Sequence, residues 1–266
     1  SDWLIASERA IEPLYERKTD YEFWRELGLR LGQEEYWPWE RNEDVYKYRL
    51  ENLGYEIESF EEFVHNYRYD FAPREYMKYL TQGFATPSGK VELKNSILEQ
   101  LGYDPLPHYV EPPFSPEAKP ELAEDYPVTL IAGGGFNPFF HSEHREMTKL
   151  RLVSPYPRVA INPRLADKYG IKDGDWVWIE TPVGKVKQKA VLTEAVAPDT
   201  IQAERGWWYP EKEFKDPQLM GVFESNINVC LDDDPDTCDE ACGSWCTRGV
   251  RCRISRVEGS QCAGEC

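Results

Sequence analysis

The chain has 266 residues, 41% hydrophobic and 14% aromatic, which is enough apolar material for one large or two medium domains and argues against a wholly disordered polypeptide. Its formal net charge of −17 excludes the basic stripe that a nucleic-acid backbone or an anionic membrane surface requires. No apolar run approaches the roughly eighteen residues of a membrane span, and Ser1-Asp2-Trp3 begins neither a signal nor a transit peptide.

The first residue is not Met, and the stretch from Ser1 to Gly32 reads as the middle of a longer sequence; the chain is therefore expected to be one piece of a larger, split or processed protein. Aromatic and aliphatic residues recur at three- and four-residue spacing from Tyr21 to Leu31 and from Arg74 to Leu80, which predicts helices there. Pro38 breaks the pattern, Pro73 marks a helix start, and Ser59 followed by Glu62 predicts another N-terminus. From Phe84 to Gly102 the order is a Pro-Ser-Gly turn, a short strand and a helix that stops at Gly102. The Ser-Gly-Lys within it is no nucleotide loop, because Gly83 is one residue too far from Gly89 and Val91 stands where the magnesium-binding hydroxyl belongs.

Seven prolines between Pro105 and Pro127 cannot continue a helix or a central strand and mark an extended connection. Strand-like runs follow: Val128 to Gly133, Arg158 to Pro163, Trp176 to Thr181, Lys185 to Leu192 and Thr200 to Glu204. Between them, Leu165, Ala166 and Ile171 face a core, Gly170 ends a short helix and Asp173-Gly174 turns into the next strand. The expected fold class is α+β. A mainly helical partial α/β segment over 1–104 leads through a proline-rich linker over 105–127 to a compact β-barrel over 128–257 and a Cys-containing tail over 258–266.

The residues that carry chemistry cluster after the first barrel strand. Gly133, Gly134 and Gly135 let the backbone turn and approach a ligand closely, with freed N–H groups for phosphate oxygens. Phe136, Asn137, His141, Ser142 and Arg145 follow within a few residues. His141 and His144 resemble half of a metal site without a third ligand. Trp207 and Trp208 offer faces for a planar heterocycle and Asn226 or Asn228 an amide for its edge; taken singly, each of these also reads as ordinary packing or loop chemistry.

Taken in order, LIAGGGFNPFFHSEHRE, VAINPRLADKYGIKDGDWVWIETPVGKV, ERGWWYPE and SNINVCLDDDPD resemble the C-terminal dinucleotide-binding domain of the dimethyl sulfoxide reductase family of molybdopterin oxidoreductases. GFATPSGKVELKNSILEQLGYDPLPHYVEP resembles the segment that precedes it, so the likeness runs from about Gly83 to Val257. The resemblance implies a six-stranded double-psi-type barrel that holds parts of two molybdopterin guanine dinucleotides, whose dithiolenes chelate molybdenum or tungsten. It implies that Gly133 to Asn137, His141, Ser142 and Arg145 line the pterin and pyrophosphate. Asn228, or Asn226, would meet the pterin, with Trp207 and Trp208 in support. The family's Asn-x-Leu-Thr run stands here as Asn228-Val229-Cys230-Leu231.

The family's four-cysteine [4Fe-4S] motif and its metal-ligating residue belong to an N-terminal part that this chain does not include, so no catalytic residue is assigned. The implied partners are that N-terminal part and an iron–sulfur electron-transfer subunit, in the cytoplasm or periplasm of a prokaryote. Residues before about Pro105 are expected to depend on the same N-terminal part for their folding. All seven cysteines lie from Cys230 onward, and reduced structural thiols, disulfides and a metal site are all open readings of them. Two other classes of function stand beside the cofactor reading: a barrel that serves as a non-enzymatic adaptor, and a stand-alone protein with a Cys-rich zinc site.

Overall fold

The computed structural model describes residues 3–53, 59–65, 69–70, 75–134 and 138–258. The chain divides into two compact units, Ser1–Val91 and Glu92–Cys266.

In the first unit β1 (Trp3–Leu4) pairs antiparallel with β2 (Tyr69–Asp70). Helix α1 (Asp20–Arg30) starts in a full capping box, in which the Thr19 hydroxyl accepts from the Glu22 N–H at 3.2 Å and the Glu22 carboxylate accepts from the Thr19 N–H at 2.7 Å. Helices α2 (Asn42–Asn52) and α3 (Phe60–His65) follow, and the Ser59 hydroxyl accepts from the Glu62 N–H as its spacing predicts. The helix read from Arg74 to Leu80 is shorter and later, α4 (Tyr79–Gln82), because Met77 takes a left-handed φ of +58° that no helix continues through. Pro73 and Arg74 lie outside the described residues. This unit buries few large side chains, among them Leu50, Phe63 and Val64, and leaves Phe23, Trp24, Leu31, Tyr36, Met77 and Leu80 exposed.

The second unit opens with α5 (Ser96–Gln100), capped by the Asn95 side chain. The short strand read just before it does not form: 91–95 is irregular, and the Asn95 N–H donates to Pro105 O instead of to a neighbouring strand. Apart from one 3₁₀ turn at Pro120–Leu122, the proline-rich stretch has no helix or strand.

Then comes a closed barrel, built from β3 (Val128–Gly134), β4 (Arg158–Ile161), β5 (Trp176–Glu180), β6 (Lys185–Leu192), β7 (Thr200–Glu204) and β8 (Arg248–Arg256) in the spatial order β3-β7-β4-β6-β5-β8. Two pairs are parallel, β3 with β7 and β4 with β6, and the rest are antiparallel, giving the double-psi type of barrel. Helices α6 (Thr148–Val153), α7 (Pro163–Tyr169) and α8 (Val222–Ser225) sit between strands. The interior is filled by Leu130, Val159, Ile161, Val177, Ile179, Val186, Ile201 and Ile227 with the free thiols of Cys230 and Cys252. Burial pushes the Cys230 thiol up to about 12 and raises Cys252 as well, so both are unreactive core atoms at neutral pH. Closer to the surface, Cys238, Cys242 and Cys246 are also free, and no cluster of three or more metal-ligating side chains occurs among the described residues.

Between β4 and α7, Asn162 does two jobs at once: its Oδ1 accepts from the Arg164 N–H at 3.0 Å, and its Nδ2 donates to Val196 O at 2.8 Å. Asn162→Ala is therefore expected to destabilise this corner by about 1–2 kcal/mol. Native-state amide exchange of Ala166 and Ile171, whose N–H groups bond to Asn162 O and Ala166 O, checks it.

Candidate functional site

The site assembles around the C-terminal ends of β3 and β7, which lie side by side as a parallel pair with a register break between Ile131 and Gly134. The break coincides with Gly133, whose φ of +89° is a conformation that L side chains rarely adopt. A Cβ there would meet open space, with the Arg205 guanidinium at 4.0 Å, whereas one on Gly134 would press on the Gln202 side chain at 3.0 Å. Gly133 is thus the glycine that the backbone requires. Gly135, Phe136 and Asn137 lie outside the described residues.

The loop 138–147 then folds back as successive turns, closed by Glu143 N–H to Phe140 O and Met147 N–H to His144 O, with His141 and His144 both left-handed at φ +50° and +70°. It rests on the chain that leaves β7. A Cβ on Gly206 would lie 3.1 Å from His141 O and from the N and Cα of Ser142, and Trp208 Nε1 donates to Ser142 O at 2.6 Å. From the other side, Asn226 Oδ1 accepts from the N–H groups of Gly206 at 3.3 Å and Asn228 at 3.2 Å. That turn is in turn held by the β5–β6 hairpin, where the Thr181 hydroxyl donates to Cys230 O at 2.8 Å and Gly184 leaves room for Val229 O.

His141, Ser142, Gly206, Trp208, Asn226 and Asn228 are therefore brought together. His141, Ser142 and Asn228 are exposed, so their side chains face outward from this junction. Arg145 and Trp207 are placed differently. Arg145 is 1% exposed, its guanidinium sandwiched between the rings of Phe139 at 4.3 Å and Trp207 at 4.8 Å. It donates to Glu143 O and Arg205 O, while its Nε and the Trp207 Nε1 make no hydrogen bond.

Sequence reasoning missed the polar layer that supports this junction. Gln188 is fully buried; its Nε2 donates to Glu204 O at 2.7 Å and Ser225 O at 3.0 Å, and its Oε1 accepts from the Glu204 N–H at 3.0 Å. Glu204 is also buried, and burial pushes its carboxyl up to about 7 against the opposing pull of the Arg158 N–H and the charge of Arg145. Tyr209 and Ser225 share a 2.7 Å hydrogen bond, and burial pushes the Tyr209 phenol up to about 12. One signal was available: in β6, Gln188 falls on the phase of Val186 and Ala190, which face the core.

Residues 135–243 match the family described as "Molydopterin dinucleotide binding domain". Acetylene hydratase of Syntrophotalea acetylenica is 37% identical over 229 residues, which cover 86% of this chain and 31% of that protein. Dimethyl sulfoxide reductase of Escherichia coli (strain K12) is 29% identical over 255 residues, 85% of this chain and 30% of that protein. The chain belongs to the dimethyl sulfoxide reductase family of molybdopterin oxidoreductases. In three dimensions it superposes on acetylene hydratase from Pelobacter acetylenicus with a TM-score of 0.85 and 34% identity, covering 96% of this chain and 35% of that one. The chain thus spans about a third of the length of these molybdopterin oxidoreductases and contains their dinucleotide-binding barrel. Among the described residues no helix is long and apolar enough to cross a membrane.

Proposed function

We propose that this chain is the C-terminal, cofactor-holding part of the large subunit of a prokaryotic molybdenum or tungsten oxidoreductase, and that its junction binds molybdopterin in the guanine dinucleotide form. The observation that carries the reading is the Gly133 corner: a backbone without Cβ, open space in front of it, a guanidinium beside it, and exposed imidazole, hydroxyl and amide groups on the adjoining turns. Such a set fits an anionic, heterocyclic ligand, although the chain as a whole carries −17.

In this reading His141, Ser142 and Asn228 hydrogen-bond the ligand, and Gly133 to Asn137 with Arg205 face its phosphates. Asn226, Trp207, Trp208 and Arg145 hold those groups in place. When bound, the metal on the pterin dithiolenes supplies the redox or oxygen-transfer chemistry; the barrel binds, orients and shields it from water. The iron–sulfur centre, the metal-ligating side chain and the selection of substrate fall to the remaining two-thirds of the enzyme, which also covers the exposed aromatic residues of the first unit. Electrons reach the enzyme from a separate iron–sulfur subunit.

The test is Gly133→Val in the full-length enzyme, with released pterin and guanine nucleotide measured per chain. The expected result is two guanines per metal in the wild type and at least a tenfold loss of pterin in the variant. Full pterin retention by the variant, or a wild type without guanine, would overturn the assignment.

A further inference from the structure

Below the loop that carries His141 and Ser142, the Arg145 guanidinium meets the Glu204 carboxyl in a buried contact. In β7, Ile201 and Ala203 point into the core, so Gln202 and Glu204 point to the other face. Glu204 is nevertheless 1% exposed, because groups from several elements cover it. From the loop, Arg145 approaches its Oε1 to 3.8 Å. From β4, the Arg158 N–H donates to its Oε2 at 3.1 Å, and the charge of the Arg158 side chain also acts on it. From β6, Gln188 holds the Glu204 backbone at both its N–H and its carbonyl. Just beyond the end of β7, Arg205 accepts from Arg145 through its carbonyl. From α6, Arg151 lies 5.2 Å over the Trp207 ring, is paired with Glu211 and acts on Arg145, as does Glu146. The Glu204 Oε1 has no hydrogen-bond partner.

The loop above this pair has an unusual backbone. It places two non-glycine residues, His141 and His144, in left-handed backbone conformations, each of which is held by its surroundings rather than by its own preference. Arg145 ties the loop down through two carbonyls and two aromatic rings, and that same side chain lies against the buried Glu204 Oε1. Lifting the loop therefore solvates the carboxyl.

We propose that Glu204 and Arg145 form a proton-operated latch for the cofactor loop: the loop stays closed while Glu204 holds a proton and loosens when that proton passes to water. The role assigned to the latch rests on the reading that loop 138–147 lies against the pterin dinucleotide. The direction follows from linkage. With the loop closed, burial holds the Glu204 carboxyl up at about 7, against an ordinary value of 4.5 once solvated. The closed loop binds the proton more tightly, so this contribution to closure is complete below the solvated value and is lost as pH rises through about 7. Between pH 6 and pH 8 the open fraction should rise about tenfold.

The experiment is hydrogen exchange of residues 138–147 in the full-length, pterin-loaded enzyme at pH 6, 7 and 8, corrected for intrinsic rates, with pterin per chain assayed alongside. The wild type is expected to show about a tenfold rise in corrected exchange across that range, while peptides from β5 stay level. Glu204→Gln, which keeps the shape without the ionisation, is expected to stay at the protected, low-pH level throughout. A flat wild-type profile, or a variant that follows the wild type, overturns the latch. If the variant does not fold, the wild-type profile alone decides. Wild-type enzyme that carries no pterin at any pH overturns the cofactor reading instead, and retained pterin with level exchange overturns the latch alone.

Discussion

Gln188→Leu is expected to destabilise the barrel by about 3–5 kcal/mol. The substitution nearly conserves volume, so little of the loss comes from packing. It comes from what is stranded: the carbonyls of Glu204 and Ser225 and the N–H of Glu204 each lose their side-chain partner in a place water does not reach. The damage should be directional, because those three groups join β6 to the end of β7 and to α8, the two elements that lead into Gly206 and Asn226. Native-state exchange in the full-length enzyme should show β6, β7 and 222–230 opening together while β5 and β8 change less. Equal acceleration around the whole barrel would mean that Gln188 is ordinary filling. Gln188→Glu is a sharper control, since it keeps an acceptor but loses the donor and brings a charge to a fully buried position.

Gly206→Val should empty the site while sparing the barrel. A Cβ at this residue meets three backbone atoms, His141 O and the N and Cα of Ser142, all at 3.1 Å, and the residue's φ of +67° is hostile to a β-branched side chain. Backbone cannot swing aside as a lysine tip would, so either the loop lifts or the Gly206 peptide turns. Lifting breaks the Trp208 to Ser142 bond; turning breaks the Gly206 to Asn226 bond. Either way His141 and Ser142 part from Asn226 and Asn228. The local cost is about 2–4 kcal/mol, and at least a tenfold fall in pterin per chain is expected, with barrel amides outside 138–147 and 204–230 retaining their protection. Wild-type pterin content in this variant would show that the junction is not where the ligand sits.

Much of the barrel could be read directly. Five strands show as short strand-like runs separated by turn residues, and Asn162, Pro163 and Gly170 bracket α7 with a cap, a first-turn proline and a left-handed stop. The sixth strand is harder to see because RGVRCRISR carries four arginines, which break the apolar pattern. Its arginines are tolerated because neighbouring strands and turns supply partners: Thr129 for Arg251, Glu180 for Arg253 and Asp175 for Arg256. Those partners are distant in sequence, so no local window contains the reason. The site shows the same divide. Glycines at the end of a strand are a local signal, and Gly133 is where the signal points. That Gly206 must stay bare to seat Ser142, or that a carboxylate lies under Arg145, depends on which strand ends adjoin, and this is decided by β7 running parallel to β3. Met77 and the unformed strand at 91–95 are the complementary lesson, since propensity there yields to a turn and to the carbonyl of Pro105.

The way the barrel closes also bears on how the protein can be made. β3 is hydrogen-bonded on one side to β7 and on the other to β8, with Val128 opposite Cys252, and β5 likewise waits for Arg253 to Arg256. During synthesis, β3 and β5 leave the ribosome long before β8 exists, so each keeps a bare edge until nearly the last residue of the barrel has been translated. With so many pairings between distant residues, closure is intrinsically slow. A nascent chain in this state exposes the hydrogen-bonding edges of β3 and β5, and the barrel around the end of β3 is complete only once β8 has paired along it.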